Sequence, residues 1–195
     1  MRILVLHAHP EPTSYNAALK DRVVATLKAG GHEVDLCDLY EERFDPVLDR
    51  AERGIYHDVP ENNTRVQAYV DRLMAAEGLV LVFPVWNFGF PAILKGYFDR
   101  VFLPGVSFRL EDGRVQPNLQ HLRLLATVTT YGAHRWRALV MGDPPRKICT
   151  RMLRVLVAPQ ARHLYLAHYD MNRSTPDSRE RFMGRVEREV ARLAR

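Results

Sequence analysis

Residues 78–83, Gly78-Leu79-Val80-Leu81-Val82-Phe83, form an apolar run with no polar alternation. A strand that is apolar on both faces must be covered on both, which happens when a parallel sheet lies between two helical layers. Residues 2–8 and 122–130 are runs of the same kind. Around them, apolar residues recur at helical spacing over 16–29, 65–76, 146–157 and 177–194. Gly30-Gly31 ends the first of these helices, and 33–38 reads as a further strand. Pro91 opens another helix that runs over 92–103 until Pro104-Gly105 breaks it. Residues 163–167 read as the last strand, and 106–117 alternate weakly around Asp112-Gly113, a dipeptide that favours a tight hairpin.

This order of strands and helices predicts one doubly wound, five-stranded parallel sheet with a small hairpin excursion. Right-handed crossovers favour the strand order 2-1-3-4-5, although periodicity alone also admits a Rossmann order. The length of 195 residues, 47% apolar and 26% charged, suits a single globular domain over 1–195. The first apolar run turns polar at His7, too early for a signal peptide or a membrane span, so a cytoplasmic protein without membrane insertion is expected. Cys37 and Cys149 lie far apart and form no CxxC pair, and no histidine has a partner at ligand spacing, so no metal site is expected. The net charge of +5 has no nucleic-acid motif beside it, although basic residues are denser over 135–162.

In a sheet of this type ligands bind beyond the carboxyl ends of the strands, so the chemistry is sought in three loops. The first, His9-Pro10-Glu11-Pro12-Thr13-Ser14-Tyr15-Asn16, precedes a helix whose free N–H groups suit a phosphate. Ser14 and Asn16 can add donors and a protonated His9 would add charge; equally, Ser14 can be a plain helix cap and His9 a turn residue. The loop contains neither GxGxxG nor GxxxxGK[ST]. The second loop, Pro84-Val85-Trp86-Asn87-Phe88-Gly89-Phe90-Pro91, combines a constrained backbone with three aromatics, as a flat isoalloxazine ring requires; the same aromatics could be core. The third, Thr129-Thr130-Tyr131-Gly132-Ala133, offers small and hydroxylated residues that let a ligand approach the backbone, with Tyr131 able to stack or to close the pocket.

The run from Phe83 through Pro84-Val85-Trp86-Asn87-Phe88-Gly89-Phe90-Pro91 to Lys95-Gly96-Tyr97-Phe98-Asp99-Arg100 resembles the flavin-loop signature of the NAD(P)H:quinone oxidoreductases of the flavodoxin-like superfamily. That family includes bacterial quinone reductases and ancillary subunits of potassium-efflux systems. His9, Thr13, Ser14 and Asn16, and the turn Thr129-Thr130-Tyr131-Gly132, are similar to its other flavin contacts. The resemblance implies a homodimer with one flavin per subunit, hydride passing from NAD(P)H through flavin N5 to a quinone-like acceptor, and no obligatory catalytic side chain. It also implies that the hairpin around Phe108 roofs the partner's site and that the helix over 92–103 is part of the interface. Asn87 and Tyr131 replace the family's usual tryptophan and glycine, and its tyrosine and histidine after the third loop have no counterpart among His134, Trp136 and Met141. Phe88, Phe108, Tyr131 and Trp136 are the candidate walls of the acceptor slot. The short segment 133–151 favours FMN over the alternative, FAD. A regulatory flavoprotein subunit of a membrane transporter is the rival reading; a one-electron flavodoxin shuttle fits a basic chain less well.

Overall fold

The computed structural model describes all residues, 1–195. Its five-stranded sheet contains β1 (Arg2–His7), β2 (Glu33–Asp38), β3 (Gly78–Val85), β6 (Leu124–Tyr131) and β7 (Arg162–His168). All pairings are parallel and the spatial order is β2-β1-β3-β6-β7, which is 2-1-3-4-5 in sheet-strand numbering. A separate antiparallel hairpin joins β4 (Phe108–Glu111) to β5 (Arg114–Pro117). Its turn residues Asp112 and Gly113 both have positive φ, the conformation that a two-residue hairpin turn demands.

The unbroken apolar strands divide their side chains between two cores, because successive residues point to opposite faces. Val80 and Val82 of β3 join Ile3 and Val5 beneath α1 (Tyr15–Ala29) and α8 (Pro176–Leu193). Leu79, Leu81 and Phe83 join Leu4 and Leu6 on the other side. There they meet α3 (Gln67–Ala75) and α4 (Ala92–Val101). Gly96 of α4 is fixed by contact: a Cβ there would lie 2.3 Å from the Pro46 carbonyl oxygen.

Local signals moved some boundaries. The helix expected over 65–76 begins as a 3-10 turn, Glu61–Val66, before α3. The helix expected over 146–157 starts earlier, at Pro144-Pro145, because proline fits the first helical turn where its missing N–H has no partner to lose. It is then divided into α6 (Pro144–Lys147), a π turn (Ile148–Met152) and α7 (Leu153–Leu156). Two short helices were not anticipated. One is α2 (Arg50–Gly54), nucleated by a capping box between Asp49 and Glu52; the other is α5 (Arg135–Val140). No helix is long and apolar enough to cross a membrane.

Candidate active site

The turns after β1, β3 and β6 meet at one edge of the sheet. A recess of about 270 Å³ is lined by His9, Ser14, Tyr15, Asn16, Pro84, Val85, Trp86, Thr130 and Gly132. A second recess, about 200 Å³, shares Val85 and Gly132 with it and adds Asn87, Phe88, Tyr131 and Ala133. Gly132 and Ala133 also line a third, of about 370 Å³, which takes in Trp136. The three adjoin one another around Gly132, which lines all of them, and are together called the cleft.

At the head of α1, Ser14 caps the helix, its Oγ accepting from the Ala17 N–H at 3.1 Å. The N–H groups of Tyr15 and Asn16 donate to nothing within the protein. Asn16 is buried, yet neither its Oδ1 nor its Nδ2 has a partner. An orphaned buried amide is costly, so its retention at the cleft marks a place for a polar ligand. Of the two roles open to His9, the geometry favours an uncharged one at the cleft lining. Burial lowers its pKa, and its Nδ1 accepts from the Glu11 N–H at 3.0 Å. The imidazole is therefore neutral near pH 7 and carries its proton on Nε2, where it can donate. Its ring stands edge-on to Trp86 at 5.7 Å.

The second loop is bent by a two-residue turn, with Asn87 at φ 50° and Phe88 at φ 58°. Trp86 and Gly89 exchange both backbone hydrogen bonds across it, at 3.1 and 2.8 Å. Two consecutive left-handed residues without a glycine cost stability, and such strain concentrates at functional sites. The turn leaves the Asn87 and Phe88 N–H groups without acceptors in the protein. The N–H groups of Gly132 and Ala133 on the facing loop are likewise unused.

Other candidates are placed differently. Thr13 is exposed and its N–H and Oγ1 both donate to Glu11, at 3.0 and 2.7 Å, so it contributes to loop shape and not to the cleft lining. Thr129 is fully buried and donates to the Phe83 carbonyl at 2.7 Å, tying β6 to β3. Tyr131 borders the second recess, but its hydroxyl is committed: it donates to Asp143 Oδ1 at 2.6 Å and accepts from the Tyr165 hydroxyl at 2.7 Å. Burial raises the pKa of both phenols, and the Tyr131 ring packs against Tyr169 at 4.6 Å, so it cannot swing over a ligand. Phe108 lies away from the cleft of its own chain, in an apolar cavity of about 620 Å³ with Phe90, Phe98 and Phe102. Trp136 is 58% exposed at the cleft's margin.

Sequence reasoning missed Met171 and Asn172. Both line the first recess from the turn between β7 and α8, and Asn172 approaches Gly132 closely. The rule that led to three loops applies equally to the last strand, whose exit Tyr169-Asp170-Met171-Asn172 is polar enough to have been included. His, Cys, Asp and Glu side chains nowhere cluster in a way that could hold a metal ion.

A family model described as flavodoxin-like fold matches residues 1–158. The chain belongs to the flavodoxin-like fold family. It is similar to NAD(P)H dehydrogenase [quinone] 1 of Cavia porcellus, with 33% identity over 73% of this chain and 58% of that protein. The chain thus spans about three fifths of the length of that curated relative. Among solved structures, Smu.1420 of Streptococcus mutans is 27% identical with a TM-score of 0.83, over 98% of this chain and 100% of that one. An FMN-dependent NADH-azoreductase of Bacillus anthracis, solved in complex with FMN, is 18% identical with a TM-score of 0.78, over 100% and 99% of the two chains; at that identity the likeness is one of fold.

Proposed function

We propose that the chain is a cytoplasmic FMN-dependent NAD(P)H oxidoreductase whose acceptor is a quinone or another flat electron acceptor. The observation that carries the reading is the set of unused donors and the orphaned Asn16 amide around one cleft. The residues present fit a flavin mononucleotide. His9 Nε2–H, the Asn16 side chain and the free N–H groups of Tyr15 and Asn16 suit its phosphate, with Ser14 holding the helix end in place. The N–H groups of Asn87, Phe88, Gly132 and Ala133 suit the polar edge of its ring, while Trp86 and Phe88 offer apolar faces. A bound flavin supplies the hydride chemistry. The protein's contribution is to hold the rigid turn, keep water from the cleft floor with Val85 and the locked Tyr131, and leave one face open for donor and acceptor in turn.

The names and ligands of the relatives support this assignment: quinone in the Cavia protein, FMN in the Bacillus protein. We further propose a homodimer. The apolar cavity between α4 and the hairpin, together with the exposed Leu110 and Val115, leaves a face that a second copy would cover, bringing Phe108 toward the partner's cleft.

The test is to purify the protein, identify any released cofactor by mass, and follow NADH and NADPH oxidation with and without benzoquinone. Released FMN and acceptor-dependent turnover at roughly 1 to 1000 per second support the assignment. Released FAD would correct the cofactor. A bound flavin that neither nicotinamide reduces would overturn the enzymatic reading in favour of a regulatory subunit.

A further inference from the structure

The short helix α5 turns its apolar stripe the wrong way for a core. Trp136, Leu139 and Val140 stand at i, i+3 and i+4, the spacing of a face that ordinarily packs inward, yet they are 58%, 56% and 75% exposed. Met141 extends the stripe at 56%. The residue that faces inward is Ala138, fully buried. The helix is anchored from below: the Asp143 N–H donates to the Ala138 carbonyl at 2.8 Å, and the Asp143 carboxylate is bound to Tyr131. The stripe is therefore held outward by the fold.

Cations surround it. Arg135, Arg137 and Lys147 are exposed, and no carboxylate lies within ion-pair distance of any of them; the nearby Asp170 instead faces His134 and Arg173. The Arg137 guanidinium lies 5.4 Å from the Trp136 ring centroid, so cation and aromatic form a single unit. Over residues 135–155 there are six cationic side chains and one carboxylate, and that carboxylate, Asp143, is buried. An apolar stripe carrying Trp and rimmed by unpaired Arg and Lys matches the boundary layer of an anionic bilayer, where apolar groups enter the acyl region and cations meet the headgroups. In the proposed dimer the partner's hairpin would approach this margin, so a second copy is the competing occupant that the test below separates from lipid.

We infer that α5 is a peripheral membrane-contact surface, with Trp136, Leu139, Val140 and Met141 entering the boundary of an anionic lipid layer and Arg135, Arg137 and Lys147 engaging its headgroups. Trp136 also borders the cleft, so this contact sets the cleft mouth at the bilayer surface. Taken with the proposed oxidoreductase reading, on which this corollary alone rests, it assigns the acceptor to apolar molecules dissolved in the membrane. Lipid binding itself requires no catalytic assumption.

The test is co-sedimentation of the purified, cofactor-loaded protein with vesicles of phosphatidylcholine alone or containing about 30 mol% phosphatidylglycerol. The protein is expected to pellet with the anionic vesicles and to be released by high salt. Val140→Asp, at the most exposed position, should abolish pelleting, and Arg135→Gln combined with Arg137→Gln should weaken it roughly tenfold or more. Both variants should keep the wild-type circular dichroism and oligomeric state. No pelleting with anionic vesicles overturns the inference. So does pelleting that Val140→Asp leaves intact, or a Val140→Asp variant that breaks a dimer and not the lipid contact, which would assign the stripe to a second copy. Because no turnover is measured, these outcomes are independent of whether the protein reduces quinones.

Discussion

Two buried polar regions of this molecule are almost equally shielded from water and are built on opposite terms. Behind α4, the Arg100 guanidinium donates to Glu52 at 2.6 and 3.1 Å and to the Asp45 carbonyl, and it lies over the Phe44 ring. Asn62, close by, donates through Nδ2 to the carbonyls of Tyr56 and Pro104 at 3.0 Å each, so that only its Oδ1 is left without a partner. At the cleft, Asn16 is as buried as these and has no partner, while two left-handed residues hold backbone donors open. Buried polar groups that are satisfied hold a fold together; buried polar groups left unsatisfied at a concave edge are kept for something that arrives. The brace belongs to stability and the cleft to ligand binding.

The largest effect is expected at the brace. Arg100→Ala leaves the Glu52 carboxylate buried without its cation, and is expected to cost about 3 to 5 kcal/mol in chemical denaturation while leaving the FMN affinity of the folded protein unchanged. Next comes the cleft: Asn16→Ala should weaken FMN binding roughly tenfold to a hundredfold, in line with the loss of hydrogen bonds to a charged group. It should not lower the thermal midpoint of the cofactor-free protein. A stability loss without an affinity loss would place Asn16 with the brace. Gly96→Ala forces a methyl group against Pro46 and should destabilise by about 1 to 3 kcal/mol, with no effect on FMN. Phe88→Gly relieves a left-handed backbone and should raise cofactor-free stability by about 1 kcal/mol while reducing acceptor turnover, which separates strain kept for function from strain without use.

The smallest expected effect is one of pH. Burial lowers the pKa of His9, His163 and His168 below the ordinary histidine value. Unfolding lets them bind protons at the ordinary value, so the unfolded state takes up more protons in the window between folded and unfolded pKa. The stability these residues contribute is complete above about pH 6.5 and is lost as the pH falls through their folded values. Thermal midpoints measured from pH 7 down to pH 5 should fall, and the slope should shrink in the His163→Leu variant, which lies outside the cleft.

The fold was largely legible because its strongest signal was strong: strands apolar on both faces, separated by helical periodicity, admit few arrangements. The three loops were legible for the same reason, since strand exits are fixed once the strands are. What side chains do within those loops was not. Thr129 and Thr130 are adjacent and chemically alike, and only the strand pleat sends one into a bond with Phe83 and leaves the other at the cleft. Tyr131 reads as an aromatic wall, but Asp143 and Tyr165, 12 and 34 residues away in sequence, capture its hydroxyl. His9 reads as a possible cation, but burial and the Glu11 N–H keep it neutral. In each case a partner distant in sequence, or burial itself, decided the role.

Uptake of a flavin at the cleft through groups left unbonded in the folded chain is the property on which the proposed activity rests. Titration of cofactor-free protein with FMN, followed by quenching of flavin fluorescence, measures this. The expected result is saturation at one FMN per chain, with a clearly weaker curve for Asn16→Ala. Fluorescence that is unchanged by the protein for both FMN and FAD, or a curve that Asn16→Ala does not alter, would contradict it.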